Sequence, residues 1–230
     1  MAIFHTVKCL FCASPLVVDE HILCTFCVFS CTSSEARSSR YCLTCSNIML
    51  TNDTYCGHCL TNPSSLERLY CYSDYSGPLR WLIKQYKYKK KLYLASLLSH
   101  MLYTKIKQLN QDDIPDAIIP MPIHWTRHWN RGFNQSHYIA NLLSKSADIS
   151  VIAKGITRIR RTPALEGLNR KQRHSVVKKA FRVSTNLPSH VAIVDDVYTT
   201  GASAESLAKI LKKHGTQRVD LWVLARTPKN

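Results

Sequence analysis

The chain has 230 residues, with 45% apolar and 20% charged side chains, which fits a globular core with a small appendage rather than a disordered chain. Lys+Arg 31 against Asp+Glu 15 gives a net charge of +16, and the excess lies in residues 61–230, because residues 1–60 are nearly neutral. Such a surplus points to a polyanionic partner or substrate. The longest apolar stretch, around Leu92–Tyr103, is too short to span a bilayer, and the opening MAIFHTVKCLFC has no uninterrupted apolar stretch of the kind an export signal carries. A cytoplasmic protein without a membrane span is therefore expected.

Residues 1–60 contain no run able to build a core unaided, but they hold nine of the ten cysteines. Eight of these form four CxxC pairs. Cys9, Cys12, Cys24 and Cys27 give one set of four thiols, and Cys42, Cys45, Cys56 and Cys59 give a second. Thiolates at this spacing suit zinc, and four per ion leave no open coordination position, so the metal would be structural. Sequential pairing is the simplest arrangement, although interleaved pairing uses the same ligands. His58 and Cys31 are alternative donors, and iron–sulfur ligation is a further reading of the same thiols. TNPSS, before Leu66, reads as a linker. A zinc ribbon over 1–62 and a second domain over 63–230 follow.

In that second domain Tyr70–Tyr75 predicts a strand. Pro78 sits at the start of a helix whose Leu79, Leu82, Ile83 and Tyr86 share a face. Leu92–Leu109 reads as a helix, Ala117–Met121 as a buried strand, Ser136–Leu143 as a helix and Val151–Thr157 as a strand. Thr162–Arg173 reads as a basic loop. His190–Val194 is a buried strand, Ala202–His214 a helix with Leu207, Ile210 and Leu211 inward, and Val219–Ala225 a last strand. Strands alternating with helices predict an α/β fold with a largely parallel sheet.

The most specific segment is HVAIVDDVYTTGASAESLAKIL, where an apolar strand ends in Asp195 and Asp196 and a short loop opens a helix. Loop amides, small hydroxyl residues and a helix N-terminus suit a phosphate, and Gly201 lets the backbone approach it. Carboxylates beside them suit the vicinal hydroxyls of a sugar. Together they specify a 5-phosphorylated ribose at the carboxyl end of a strand, where open α/β sheets bind ligands.

Val191–Ser203 resembles the phosphoribosyl diphosphate (PRPP) signature of type I phosphoribosyltransferases. By that resemblance Asp195 and Asp196 hold the ribose hydroxyls and Thr199 to Ser203 cradle the 5-phosphate. The candidate PRPP site thus comprises Asp195, Asp196, Val197, Tyr198, Thr199, Thr200, Gly201, Ala202 and Ser203, with Arg127 and Arg131 supplying charge for the diphosphate. Mg²⁺ is expected to accompany PRPP. Over nearly its whole length the chain resembles the ComF family of competence proteins. YSGPLRWLIKQYKYKKK (Tyr75–Lys91), IIPMPIHWTRHWNRGFNQS (Ile118–Ser136) and TRIRRTPALEGLNRKQR (Thr157–Arg173) carry the resemblance. Leu165 stands where that family's last loop has Gln, and Val176 where Asn is common. Asn134 and Gln135 either cap the helix that follows them or hydrogen-bond the diphosphate corner.

Lys154–Arg182 holds ten basic residues and one acid, and Lys84–Lys91 adds five more with Tyr86 and Tyr88 between them. Charge with interleaved aromatics suits single-stranded nucleic acid, although a solvated face or a basic hood over PRPP has the same composition. Lys154, Arg158, Arg160, Arg161, Arg170, Lys171 and Arg173 are the candidate contacts. The family resemblance implies a role in handling single-stranded DNA during natural transformation, with other competence proteins such as an uptake helicase as partners and a place at the inner face of the membrane. A phosphoribosyltransferase of nucleotide metabolism and a non-catalytic DNA-binding adaptor are the rival readings. No residue stands out as a general base. A glutamine amidotransferase is not expected, because the chain begins Met1-Ala2 and its first cysteine is a knuckle thiol.

Overall fold

The computed structural model describes residues 7–16, 22–32, 40–126, 129, 132–160 and 180–227. Short elements come first: α1 (Thr25–Phe29), β1 (Arg40–Tyr41), β2 (Ile48–Met49) and α2 (Gly57–Thr61). Then follow β3 (Leu69–Asp74), α3 (Gly77–Tyr88), α4 (Leu94–Ile106), β4 (Ala117–Pro120), α5 (Gln135–Ala147) and β5 (Ser150–Val151). The chain continues through β6 (Ile156–Arg158), β7 (Phe181–Val183), β8 (His190–Tyr198), α6 (Ala202–Lys213) and β9 (Arg218–Arg226).

A five-stranded sheet runs in the order β3-β9-β8-β4-β5, and every pairing in it is parallel. The two central strands, β8 and β9, are apolar on both faces, as strands covered on both sides must be. Ala192, Val194, Trp222 and Leu224 pack toward α3, α4 and α5. Val191, Ile193, Leu221 and Val223 pack toward α6 and the β6–β7 hairpin. α3 buries Leu79, Leu82, Ile83 and Tyr86, the stripe its periodicity predicts. α6 buries Ala204, Leu207, Ala208 and Leu211, while Ile210 lies at the edge of that face and is only partly buried.

The expected strand Val151–Thr157 is two strands. β5 joins the edge of the main sheet, and β6 pairs antiparallel with β7, a strand with no counterpart in the sequence reading. Gly155 divides them. Its φ of +77° turns the chain, and a Cβ there would meet the Thr185 Cβ at 2.7 Å. The basic loop expected over Thr162–Arg173 lies outside the described residues.

The N-terminal segment rests on the sheet. The Leu69 N–H donates to the Leu43 carbonyl at 2.7 Å, and the Ser46 hydroxyl donates to the Leu69 carbonyl at 3.1 Å. β3 is an edge strand, so these bonds occupy backbone groups that would otherwise invite pairing with another chain. Leu23, Cys27 and Cys31 are buried in the same apolar cluster as α3 and α4. Among the described residues no helix is long and apolar enough to cross a membrane.

Candidate functional site

β4 pairs with β8 only as far as Pro120 opposite Val194. Asp195 and Asp196 are the next residues of β8, so they sit at the carboxyl end of the sheet just beyond their neighbour's last pair. The Asp195 carboxylate accepts from the Ser136 hydroxyl at 3.0 Å and from the Asp196 N–H at 2.9 Å. Asp196 forms an ion pair with Lys87 of α3 at 2.7 Å. Burial first, and the Asp196 charge second, push the Asp195 carboxyl up to about 6. Burial alone would lower the Lys87 ammonium, but the Asp196 charge and hydrogen bond outweigh it and hold the group above its usual value.

Past Tyr198 the chain turns into α6. Asp195, Tyr198, Thr199, Gly201 and Ser203 line one cavity of about 80 Å³, so an acid of the pair and the loop face the same space. Gly201 caps the helix with φ +72°, and a Cβ there would lie 2.6 Å from the Tyr198 ring. The turn therefore admits glycine on two independent grounds. Glu205, the acid in the first turn of α6, faces away from this loop: its carboxylate accepts from the Ser64 hydroxyl at 2.6 Å and from the Ser65 N–H at 3.1 Å. The acid of the first turn is thus engaged elsewhere, and Asp195 is the carboxylate that shares the cavity with the positive end of α6.

Asn134 does what its capping role predicts. Its side-chain oxygen accepts from the Ser136 N–H at 3.1 Å, while its amide donates to the Met121 carbonyl at 3.2 Å. Gln135 is buried, and its carbonyl accepts from the Tyr86 hydroxyl at 3.0 Å. Arg127 and Arg131 lie outside the described residues, as do Arg161, Arg170, Lys171 and Arg173. Lys154 and Arg160 are exposed. Arg158 is buried, with its guanidinium 5.3 Å from the centre of the Phe181 ring. Sequence reasoning missed Lys87 and Ser136. Lys87 carried a signal, since it lies four residues after Ile83 and so borders the inward stripe of α3.

The eight knuckle cysteines form two groups in sequential pairing, Cys9, Cys12, Cys24, Cys27 and Cys42, Cys45, Cys56, Cys59. Within each group the sulfurs all lie within 4.8 Å of one another, and the Cys12–Cys24 and Cys45–Cys56 separations are both 3.6 Å. A tetrahedral zinc site with Zn–S of about 2.3 Å places its sulfurs about 3.8 Å apart, so both groups fit the ion. Amides already point at the sulfurs: the Cys24 N–H donates to Cys9 Sγ at 3.4 Å and the Cys56 N–H to Cys42 Sγ at 3.3 Å. Burial raises the Cys9 thiol, but amide bonds from Cys12, Cys24 and Phe11 outweigh it and bring the group to about 6. Cys31 stands apart from both groups, bonded to the Cys27 carbonyl and pushed up to about 12 by burial.

The sequence matches no protein-family model. It is 30% identical to competence protein F of Haemophilus influenzae over 97% of this chain and 98% of that one. It is 34% identical to the DNA utilization protein YhgH of Escherichia coli O157:H7, over 95% of this chain and 96% of that one. Competence protein ComFC of Streptococcus pneumoniae is 24% identical over 66% of this chain and 65% of that one. Among solved structures, a Trypanosoma cruzi hypoxanthine phosphoribosyl transferase overlays 61% of this chain and 75% of its own, at a TM-score of 0.34 and 13% identity.

Proposed function

The chain belongs to the competence protein F family, and from that premise we propose that it binds PRPP and acts in the handling of single-stranded DNA during competence. One observation carries the ligand assignment: near the carboxyl end of β8, Asp195 of the acid pair and a glycine-capped helix entry line one cavity at the edge of a parallel sheet. Asp195 and Asp196 accept hydrogen bonds from the ribose 2- and 3-hydroxyls. Tyr198 to Ser203 wrap the 5-phosphate, with the α6 N-terminus behind it. Lys87 holds one of the two carboxylates in place and offsets part of their mutual repulsion. Arg127 and Arg131 serve the diphosphate. Mg²⁺, bound with PRPP, would neutralise the departing diphosphate.

Displacement at C1 of the ribose would pass through an oxocarbenium-like state. Here this chain contributes position and charge: the acids and the loop fix the ribose at both ends, and the buried pocket wall excludes water from one side. The two cysteine groups hold structural zinc and thereby fix the ribbon over 1–62 on the domain over 63–230. The basic residues Lys154 and Arg160 provide phosphate contacts for the strand. A cytoplasmic location, at the inner face of the membrane where a helicase partner delivers the strand, suits this work.

Calorimetry tests the PRPP assignment. Wild-type protein should bind PRPP in the presence of Mg²⁺, and Asp196→Asn should weaken binding by about 1–3 kcal/mol, the scale of charge-assisted hydrogen bonds. No binding by folded wild-type protein at millimolar PRPP would reject the site.

A further inference from the structure

A second concavity of about 330 Å³ lies at the same carboxyl edge of the sheet, and apart from Asn134 none of its lining residues is assigned to PRPP. Its lining includes Pro120, Trp125, Trp129, Asn134, His137 and Arg158. The two tryptophans are 65% and 81% exposed. Indole is costly to leave in water, and neither ring takes part in either apolar cluster of the fold. The groove is joined to the acid pair by the first turn of α5: Ser136 bonds Asp195, while His137, the next residue, lines the groove. Its other wall is β6, which is tied to the tryptophan loop by a bridge between His124 and Arg158. Arg158 closes that wall with its guanidinium stacked on Phe181, and Arg160, two residues on, is exposed.

We propose that this groove is a stacking platform for an unpaired base of single-stranded DNA, with Trp125 and Trp129 as the rings that receive it. The proposal rests on the reading of the protein as one that handles single-stranded DNA, and it adds the place and the contact. Charge complementarity selects the occupant. The chain carries +16, Arg158 lines the groove, and the exposed Lys154 and Arg160 follow the lining residues Ala153 and Arg158 closely in the chain, so a polyanion is drawn to this side of the molecule. Stacking on exposed rings beside a cationic track is how single strands are held without sequence preference. A duplex keeps its bases stacked on each other and offers no face to an indole. The position also makes sense beside PRPP, because Ser136, which bonds Asp195, is followed directly by His137 of the groove lining.

The test uses full-length, zinc-loaded protein and two labelled probes, a thymidine oligonucleotide and an abasic oligonucleotide of the same length and charge. Anisotropy titrations compare wild type with a Trp125→Ala/Trp129→Ala variant and with Trp125→Phe/Trp129→Phe. The alanine variant should lose about 5- to 150-fold in affinity for the thymidine strand, the range for loss of stacking. It should bind the abasic strand as wild type does, and its salt slope should be unchanged, because every cationic side chain is still in place. The phenylalanine variant should recover most of the loss. Both rings are exposed, so a melting curve matching wild type is expected and shows the fold intact.

Unchanged affinity of the alanine variant for the thymidine strand would overturn the proposal. An equal loss on both probes would also overturn it, since that would be a backbone effect. Tighter binding of free thymidine than of the strand would make the groove a small-molecule pocket and would overturn it too. If wild type itself binds neither strand, the DNA-handling reading fails, which is a different result from a silent tryptophan substitution in a protein that binds.

Discussion

Replacing Asp195 with asparagine should make the unliganded protein more stable while weakening the ribose contact proposed for it. The Asp195 carboxyl is lifted from its ordinary 3.8 to about 6, by burial and then by the adjacent Asp196 charge. One pH unit corresponds to about 1.4 kcal/mol, so the ionised form opposes folding by about 3 kcal/mol when both states are ionised. Solvent reaches part of the residue, which reduces this to about 1–2 kcal/mol. The amide keeps an oxygen that can accept from the Ser136 hydroxyl and the Asp196 N–H, both now bonded to Asp195 Oδ1. The sign follows from proton binding. A carboxyl whose folded value is raised binds its proton more tightly when folded, so its penalty is absent below about 4 and complete above about 6. Asp195→Asn should therefore gain about 1–2 kcal/mol at pH 8, less at pH 5, and nothing near pH 4. Urea unfolding of both proteins across that range measures it. A loss of stability at pH 8, or a gain that does not change with pH, would refute the reasoning that Asp195 is held against its own charge for binding.

Elemental analysis should find two zinc ions per chain, and prolonged chelation should unfold the ribbon, seen as a loss of protection in residues 40–60 by hydrogen exchange; fewer than one ion per chain would reject the metal assignment. Gly201→Ala should cost about 1–3 kcal/mol and weaken PRPP binding, because the new methyl meets both a positive φ and the Tyr198 ring, and thermal melting with calorimetry would show both effects. Lys154→Ala with Arg160→Ala should lower the salt slope of single-strand binding by about 0.7 for each phosphate no longer neutralised, in an anisotropy series over salt. Because Arg158 is stacked on Phe181, Arg158→Ala is expected to disturb the β6–β7 hairpin as well as binding, and a lowered melting temperature would mark that difference.

Periodicity and local chemistry made much of this protein legible from its residues. The stripe Leu79, Leu82, Ile83, Tyr86 defined α3, and the apolar run before Asp195 defined β8, because burial on a face leaves a repeat in the sequence. The cysteine spacing announced two sets of four thiols, since a knuckle is a local structure. The loop proposed for the phosphate was equally local: strand end, small residues, glycine and helix entry follow one another in the chain. What depended on distance in sequence was decided by the tertiary structure alone. Sequential pairing of the cysteines, the split of Val151–Thr157 around Gly155, and the pairing of β6 with β7 across a long connection leave no periodic trace. The partners of the acid pair belong here as well. Lys87 and Ser136 lie far from Asp195 and Asp196 in the chain, and only the stacking of α3 and α5 over the carboxyl end of the sheet brings them together. The same packing buried Arg158, which the sequence offered as a contact for single-stranded nucleic acid, and left Trp125 and Trp129 in water, because a side chain's exposure is set by what folds against it rather than by its own polarity.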